Sequence, residues 1–405
     1  MKKELGVYIH IPFCISKCHY CDFTSFSNNN ECIIKNYIDA LCNEILLSSE
    51  ILSLSNIKSI YFGGGTPSYI DSKYIKQIID TLKLVCNVTD NTSITIEINP
   101  KTLTLAKARE YVECNINRVS IGLQSTYNNI LKAIGRVHTY EDFLNTLEIL
   151  SKVNIKNISC DLIYPLPYLT TDMFKRTLET VVKLKDINHI SIYNLEVHKG
   201  TKLAFLLSEG YLSLCSEDEE YIMRNMINEV LTSNKYINYE ISNYAKKGYE
   251  SVHNLLYWNQ NEYLGFGVAS SSFLNNTRTT KTNDLNVYIN AFNNLDSSVN
   301  SNNSNNSYNC NTNNNNNSLN VIMKSNDLDI NDLKSEYVIL KLRLKDGINE
   351  DEYYTKFKSN ITDDFKEAIL DNIAKGLIIH DKVNNNIYLS ARGKEVANIV
   401  WQSFI

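Results

Sequence analysis

Three cysteines stand close together near the start of the chain: Cys14, Cys18 and Cys21, spaced C-x3-C-x2-C. Thiolates are preferred ligands of iron–sulfur clusters, and spacings this short let one loop wrap one cluster. Three ligands leave one iron of a four-iron cubane free of protein. An open metal position is where a small molecule binds and reacts. The competing reading is a structural zinc site with His10 or His19 as the fourth ligand. Closed zinc sites usually bring their ligands as two separated pairs, and no second pair follows here.

Other residues downstream could do chemistry. Gly63-Gly64-Gly65-Thr66-Pro67 follows an apolar run. Glycines alone read as a tight turn, but they also let backbone approach a polar ligand closely. Glu97 lies in the otherwise apolar Thr-Ile-Glu-Ile-Asn-Pro100, and Asp161 in Cys160-Asp-Leu-Ile163. A carboxylate buried without a partner is costly, so each either faces solvent or meets a charge. Arg118 and Arg136 are candidates to balance them, because guanidinium binds carboxylate in bidentate fashion. His253 begins His253-Asn-Leu-Leu-Tyr257-Trp258. A lone histidine beside aromatics usually packs, yet a neutral imidazole also serves as an axial ligand for haem iron.

These residues need elements to hold them. Val7, Ile9 and Ile11 alternate as in a strand. Further strands are expected at 58–62, 93–98, 117–122, 156–163 and 189–195, separated by helical patterns at 31–52, 71–85, 104–114, 126–134, 140–153 and 171–184. Six strand–helix repeats imply a parallel α/β sheet, curved by right-handed crossovers into a barrel or part of one. In such folds chemistry sits at the carboxyl ends of strands. The cysteine loop, the glycine run, Glu97, Gln124 and Asp161 all fall there. The alternation stops near residue 200. Residues 299–326 read as an Asn-rich disordered insertion. From 327 a compact α+β unit follows: helices at 336–344 and 363–376, a hairpin formed by 377–380 and 386–390, and a last helix over 391–404. The arrangement is winged-helix-like, but without a concentrated basic recognition helix it reads as a packing or lid unit.

The 405 residues suffice for two or three domains. A net charge of −5 argues against a large nucleic-acid groove. No run of about 18 apolar residues marks a membrane span, and no signal-peptide core follows Met1. Seven further cysteines are scattered without pair spacing and read as reduced residues in a cytoplasmic protein.

The stretch Tyr8-Ile-His-Ile-Pro-Phe-Cys14 with the two cysteines after it resembles the radical S-adenosylmethionine (SAM) superfamily. The similarity narrows to the branch of oxygen-independent coproporphyrinogen oxidases and HemW haem chaperones. The resemblance implies an open partial (β/α)6 TIM-like barrel over 1–245. It implies a 4Fe-4S cluster on Cys14, Cys18 and Cys21, with SAM chelating the fourth iron and cleaved by an electron from the cluster. It further implies SAM contacts from Tyr8, Tyr20, Gly64, Gly65, Thr66, Glu97, Gln124, Arg136 and Asp161. Segment 246–298 would carry the HNxxYW motif to which haem binding is attributed, with His253 as haem ligand, and 327–405 would be the last domain. Haem, a haem-accepting protein and an electron donor are the implied partners, neither protein being identified by the residues, with membrane association at most weak and through partners.

Two activities fit that branch: a chaperone loading haem into a recipient, or an oxidase decarboxylating coproporphyrinogen propionates. The oxidases carry a fourth cysteine at the position of Phe23 and an extension before the strand, whereas seven residues precede Tyr8. Both features and the complete HNxxYW favour the chaperone, so whether the chain is an enzyme stays open. A zinc protein that only scaffolds a partner is the third reading. Pro165, His198 and the segment Gly265–Ser271 depart from the family pattern, which touches the substrate side and not the cluster.

Overall fold

The computed structural model describes residues 3–27, 30–293 and 321–405. β1 (Lys3–Ile11), β2 (Ser55–Gly64), β3 (Ser93–Ile98), β4 (Arg118–Gln124), β5 (Asn157–Tyr164) and β6 (His189–Asn194) lie side by side in chain order, each pair parallel. Helices such as Glu31–Leu47, Ser72–Val85, Tyr140–Lys152 and Thr171–Lys183 make the crossovers. This is the expected open (β/α)6 barrel. Its cause is visible in β1, where Val7, Ile9 and Ile11 are fully buried beneath the helices while Tyr8 and His10 face the other way. Ile75, Ile78, Ile79 and Leu82 form the matching helical stripe. Each such side chain stabilises the fold by roughly 1.5–3 kcal/mol. Helix starts are capped by side chains, with reciprocal capping boxes at Thr139/Asp142 and Ser216/Glu219.

The sheet continues past both edges of the barrel. β7 (Ile237–Asn238) and β8 (Asn243–Ala245) extend it beyond β6; β9 (Tyr263–Phe266), β10 (Ser271–Leu274), β11 (Thr277–Lys281) and β12 (Ile322–Asp327) extend it beyond β1. β12 corrects one expected boundary. Residues 322–326 were to belong to the Asn-rich insertion, but they pair antiparallel with β11, Thr277 opposite Asp327 and Thr280 opposite Lys324. All six β12 residues are exposed, so backbone pairing holds the strand, helped by the Thr277 hydroxyl donating to Asp327 at 2.7 Å, and no apolar period marks it. The rest of that insertion, 299–320, lies outside the described residues.

The carboxyl-terminal unit has its own core, with Tyr337, Val338, Ile348, Tyr353, Ile387 and Val400 among its buried members. β13 (Ile348–Asn349), β14 (Ile378–Asp381) and β15 (Asn386–Leu389) form its three-stranded sheet, β15 in the middle. The expected hairpin is present. The expected last helix is two pieces, Ala391–Glu395 and Ala397–Gln402, because Val396 leaves helical geometry at φ −119°. Gly376, at φ +70°, ends the helix Lys366–Ala374 in the left-handed conformation that glycine adopts most easily. The unit joins the barrel where the Ile241 amide donates to the Arg343 carbonyl at 3.1 Å and the Lys345 amide to that of Tyr239 at 3.0 Å. The nine described cysteines are free thiols. Among the described residues no helix is long and apolar enough to cross a membrane.

Candidate functional site

β1 and β2 end together, with His10 opposite Gly63 and Ile11 opposite Gly64, so the cysteine loop emerges beside the glycine run. Backbone bonds lock the two. Gly65 donates to the Ile11 carbonyl at 2.8 Å and Thr66 to that of Phe13 at 2.9 Å; Cys14 donates to Phe26 at 2.9 Å. A Cβ on Gly65 would stand 2.9 Å from the Phe13 backbone, and one on Gly64, at φ +113°, would strike the His10 ring. The glycines are therefore needed for the loop to seat against the strand, in addition to lining a cavity. His10 completes the seat. Its Nε2–H donates to the Thr24 carbonyl at 3.0 Å, which leaves Nδ1 to accept from the Tyr8 hydroxyl at 3.1 Å. Burial holds this imidazole neutral, its pKa pushed down.

Polar side chains from the strands above fill the barrel mouth. Glu97 of β3 accepts from the Tyr61 hydroxyl at 2.8 Å. Burial, with the Asp161 charge adding to it, pushes its carboxyl up to about 7, against the pull of the Tyr61 bond. Asp161 of β5 accepts from Ser120 at 3.0 and 3.1 Å and from Ser159 at 3.3 Å, and its carboxyl is likewise raised by burial. Gln124 sits at a bulge in the β4–β5 pairing with φ +70°, uncommon for a residue with a side chain. Its Oε1 is buried and meets no donor among the described residues. Arg136 reaches back from the loop after helix Asn128–Ala133, donating to Cys18 Sγ at 3.4 Å and to the Gly122 carbonyl at 2.6 Å. Thr66 donates to Cys14 Sγ at 3.6 Å.

Gly64, Gly65, Thr66, Glu97, Gln124, Arg136 and Asp161 line one cavity of about 1670 Å³. Cys14, Cys18 and Cys21 stand at one end with Tyr20, and Phe23 lies on its lip, 64% exposed. The residues fit an iron–sulfur cluster with SAM. Three free thiols share a wall with two guanidinium N–H donors, two destabilised carboxylates and an unpartnered amide oxygen. Burial raises the Cys14 thiol and takes Cys21 up to about 11, so metal must displace their protons. Among the described residues no three His, Cys, Asp or Glu side chains converge on one ion. Cluster ligands need not, since each holds its own iron. Of the two histidines of the zinc reading, His10 has both ring nitrogens engaged as above, and His19, whose Nδ1 bonds the Ala133 carbonyl at 3.0 Å, does not line the cavity.

Two expected site residues lie elsewhere. Tyr8 is half-buried beneath the cavity and does not line it, stacking on Tyr61 and His253 at 6.3 and 6.4 Å. His253 is only 2% exposed. Its Nδ1 bonds Ser59 at 2.7 Å and its Nε2 bonds Tyr257 at 2.7 Å, so neither ring nitrogen is free to meet iron. Ser59 precedes Gly64 by five residues on β2, which places His253 roughly 16 Å down the barrel from the strand ends. Helix Val252–Trp258 thus plugs the far end of the barrel. The histidine that does line the cavity is His198, 3.5 Å from both Asp22 and Glu196. The sequence marked His198 only as a departure from the family pattern on the substrate side, and it passed over Arg343, Lys394 and Trp401, because the segments carrying them are far apart along the chain.

Residues 8–181 match the family model described as the Radical SAM superfamily. The E. coli coproporphyrinogen III oxidase structure, itself described as a radical SAM enzyme, matches with a TM-score of 0.80 at 20% identity, covering 100% of this chain and 90% of that one. At that identity the match shows fold. Fold and site together define a radical SAM protein. "Heme chaperone HemW" of Buchnera aphidicola subsp. Schizaphis graminum is 35% identical over 291 residues, 71% of this chain and 76% of that protein. "Heme chaperone HemW" of Lactococcus lactis subsp. lactis is 29% identical over 405 residues, 100% of this chain and 98% of that protein. The chain belongs to the HemW family.

Proposed function

We propose that this protein holds a 4Fe-4S cluster on Cys14, Cys18 and Cys21, binds SAM beside it, and carries haem to a recipient protein in the cytoplasm. The observation that carries the reading is one cavity gathering the three thiols, Gly64–Thr66, Glu97, Gln124, Arg136 and Asp161. The names of its relatives, haem chaperones, supply the haem cargo. A bound cluster with SAM supplies one-electron chemistry. The chain's own groups do the rest. The Arg136 and Thr66 donors favour the thiolate forms of Cys18 and Cys14. Glu97 and Asp161 offer carboxylates to a cationic ligand group, which their burial would otherwise leave uncompensated. Gln124 Oε1 offers an acceptor, and the Gly64–Thr66 backbone borders the same space.

Phe23 on the lip supports carriage over oxidase chemistry, because a phenyl ring neither ligates metal nor transfers protons. His253 as haem ligand requires helix Val252–Trp258 to move and at least one of its two hydrogen bonds to break.

The test is anaerobic reconstitution of the full chain. Iron and acid-labile sulfide should be incorporated and be lost in Cys18→Ser; zinc without sulfide would remove the cluster. Haem should bind in a titration, and coproporphyrinogen should not turn over; sustained turnover would replace the carrier by the oxidase. Haem affinity unchanged in His253→Ala, corrected for the folded fraction, would remove His253 as ligand.

A further inference from the structure

The far wall of the cavity comes from the carboxyl-terminal unit and carries three cations beside three carboxylates. Arg343, Lys345 and Lys394 all line it, and among the described residues none of them makes an ion pair. Arg343 is the centre of this wall. Its guanidinium lies between two indoles, 4.4 Å from the Trp258 ring and 4.8 Å from the Trp401 ring. Its N–H groups donate in the guanidinium plane. Its Nε is buried and meets no acceptor among the described residues, and the same holds for Nε1 of both tryptophans. Of these donors, those of Arg343 and Trp401 belong to residues that line the cavity and that of Trp258 does not, so an anion there would offer an acceptor to the first two only. Lys394 gives one N–H to Asn238 Oδ1 at 3.0 Å, and burial lowers its pKa, so a nearby anion would stabilise its charge.

Asp346, Asp381 and Glu395 equal the three cations in number, and the Glu240 and Glu196 charges also act on Arg343, so a subsite here rests on which of these acids are committed elsewhere. Glu240 lies behind Arg343, its carboxyl raised by burial and accepting the Ser242 amide at 3.1 Å. Asp381 is committed to the hairpin turn, accepting from the Val383 and Asn384 amides. Asp346 and Glu395 share the rim with Lys345. The cavity lining also includes the apolar or aromatic Ile192, Tyr193, Leu195 and Tyr388. The cavity also exceeds the ~300–1,000 Å³ of ordinary ligand pockets, which leaves room for a second molecule beside a nucleoside-sized one.

We propose that this wall is a carboxylate-binding subsite that takes the propionates of a tetrapyrrole, with Arg343 binding in plane and Lys345 and Lys394 beside it. This rests on the haem-carrying reading above and assigns the cargo's carboxylate edge to the carboxyl-terminal unit. The ring then lies against the apolar and aromatic lining of the cavity.

The test compares haem with haem dimethyl ester, whose propionates are capped, on the reconstituted full chain. Wild type should bind haem about tenfold or more tighter than the ester, the range expected of charge-assisted bonds. The paired variant Lys345→Gln with Lys394→Gln should lose most of that preference, and so should Arg343→Met. Iron content and SAM affinity check that the cysteine end is intact, and the lysine pair keeps the test valid if Arg343→Met fails to fold. Equal wild-type affinity for diacid and diester would overturn the subsite and leave haem carriage standing. Full preference retained in the lysine pair and in a folded Arg343→Met would also overturn it. Binding of neither compound would overturn haem carriage itself, and the subsite with it.

Discussion

Glu97 carries the clearest pH signature at the level of single residues. Its carboxyl sits near 7 without a ligand, so a cationic group that binds the carboxylate must expel a proton at lower pH. SAM affinity of the reconstituted protein should rise with pH, by at most about tenfold per unit below 7, and level off above it. Glu97→Gln should bind more weakly and with a flatter profile over the same range; isothermal titration at several pH values decides it. His253 acts on stability with the opposite sign. Burial, then the Arg118 charge, lowers its pKa to about 3. The unfolded chain therefore binds a proton that the fold refuses, and stability is lost as pH falls from about 6.5 toward 3. Glu97 loses its stabilising share as pH rises from about 4.5 to 7, so the two must be separated by mutation. His253→Ala should show a shallower acid slope in urea unfolding, together with a loss of about 2–4 kcal/mol at neutral pH from the Ser59 and Tyr257 hydroxyls left behind. A variant with unchanged slope would mean that His253 is protonated in the fold.

At the level of elements, the loop holding the thiols is only as firm as its seat. Gly65→Ala places a methyl 2.9 Å from the Phe13 amide and carbonyl and from Pro12, atoms that belong to backbone and cannot swing away. The substitution should cost about 1–3 kcal/mol. It should also lower iron incorporation, measured as iron per chain after identical reconstitution. Normal stability and iron would show that the loop shifts freely. The β4–β5 bulge works in the same way on Gln124, turning a strand residue into the cavity at φ +70°. β12 illustrates the opposite case, a strand with every side chain exposed whose place comes only from its partner.

Across the whole molecule, the cavity exists because two cores meet. The barrel supplies the thiols and carboxylates, and the carboxyl-terminal unit supplies the facing wall. The Trp258–Arg343–Trp401 stack and the paired backbones of 239–241 and 343–345 fasten them. Trp401→Ala should therefore loosen the joint. We expect a loss of about 2 kcal/mol, and faster hydrogen exchange at the Ile241 and Lys345 amides than in the barrel strands. Uniformly faster exchange would mean that the two parts unfold as one unit.

Much of the site was legible because local patterns determine it. The C-x3-C-x2-C spacing, the glycines after a strand, and Glu97 and Asp161 within apolar strands each follow from chain neighbours a few residues apart, and parallel strands bring such ends together. The barrel itself followed from the strand–helix repeat for the same reason. Tertiary structure alone decided the rest. HNxxYW is as complete in sequence as the cysteine motif, yet whether His253 faces a ligand depends on Ser59, nearly two hundred residues away, and on the barrel end that its helix plugs. Arg343, Lys394 and Trp401 form a wall only when the carboxyl-terminal unit packs against the barrel. No periodicity encodes that packing, because burial at a seam between two cores is a property of both surfaces and of neither segment by itself.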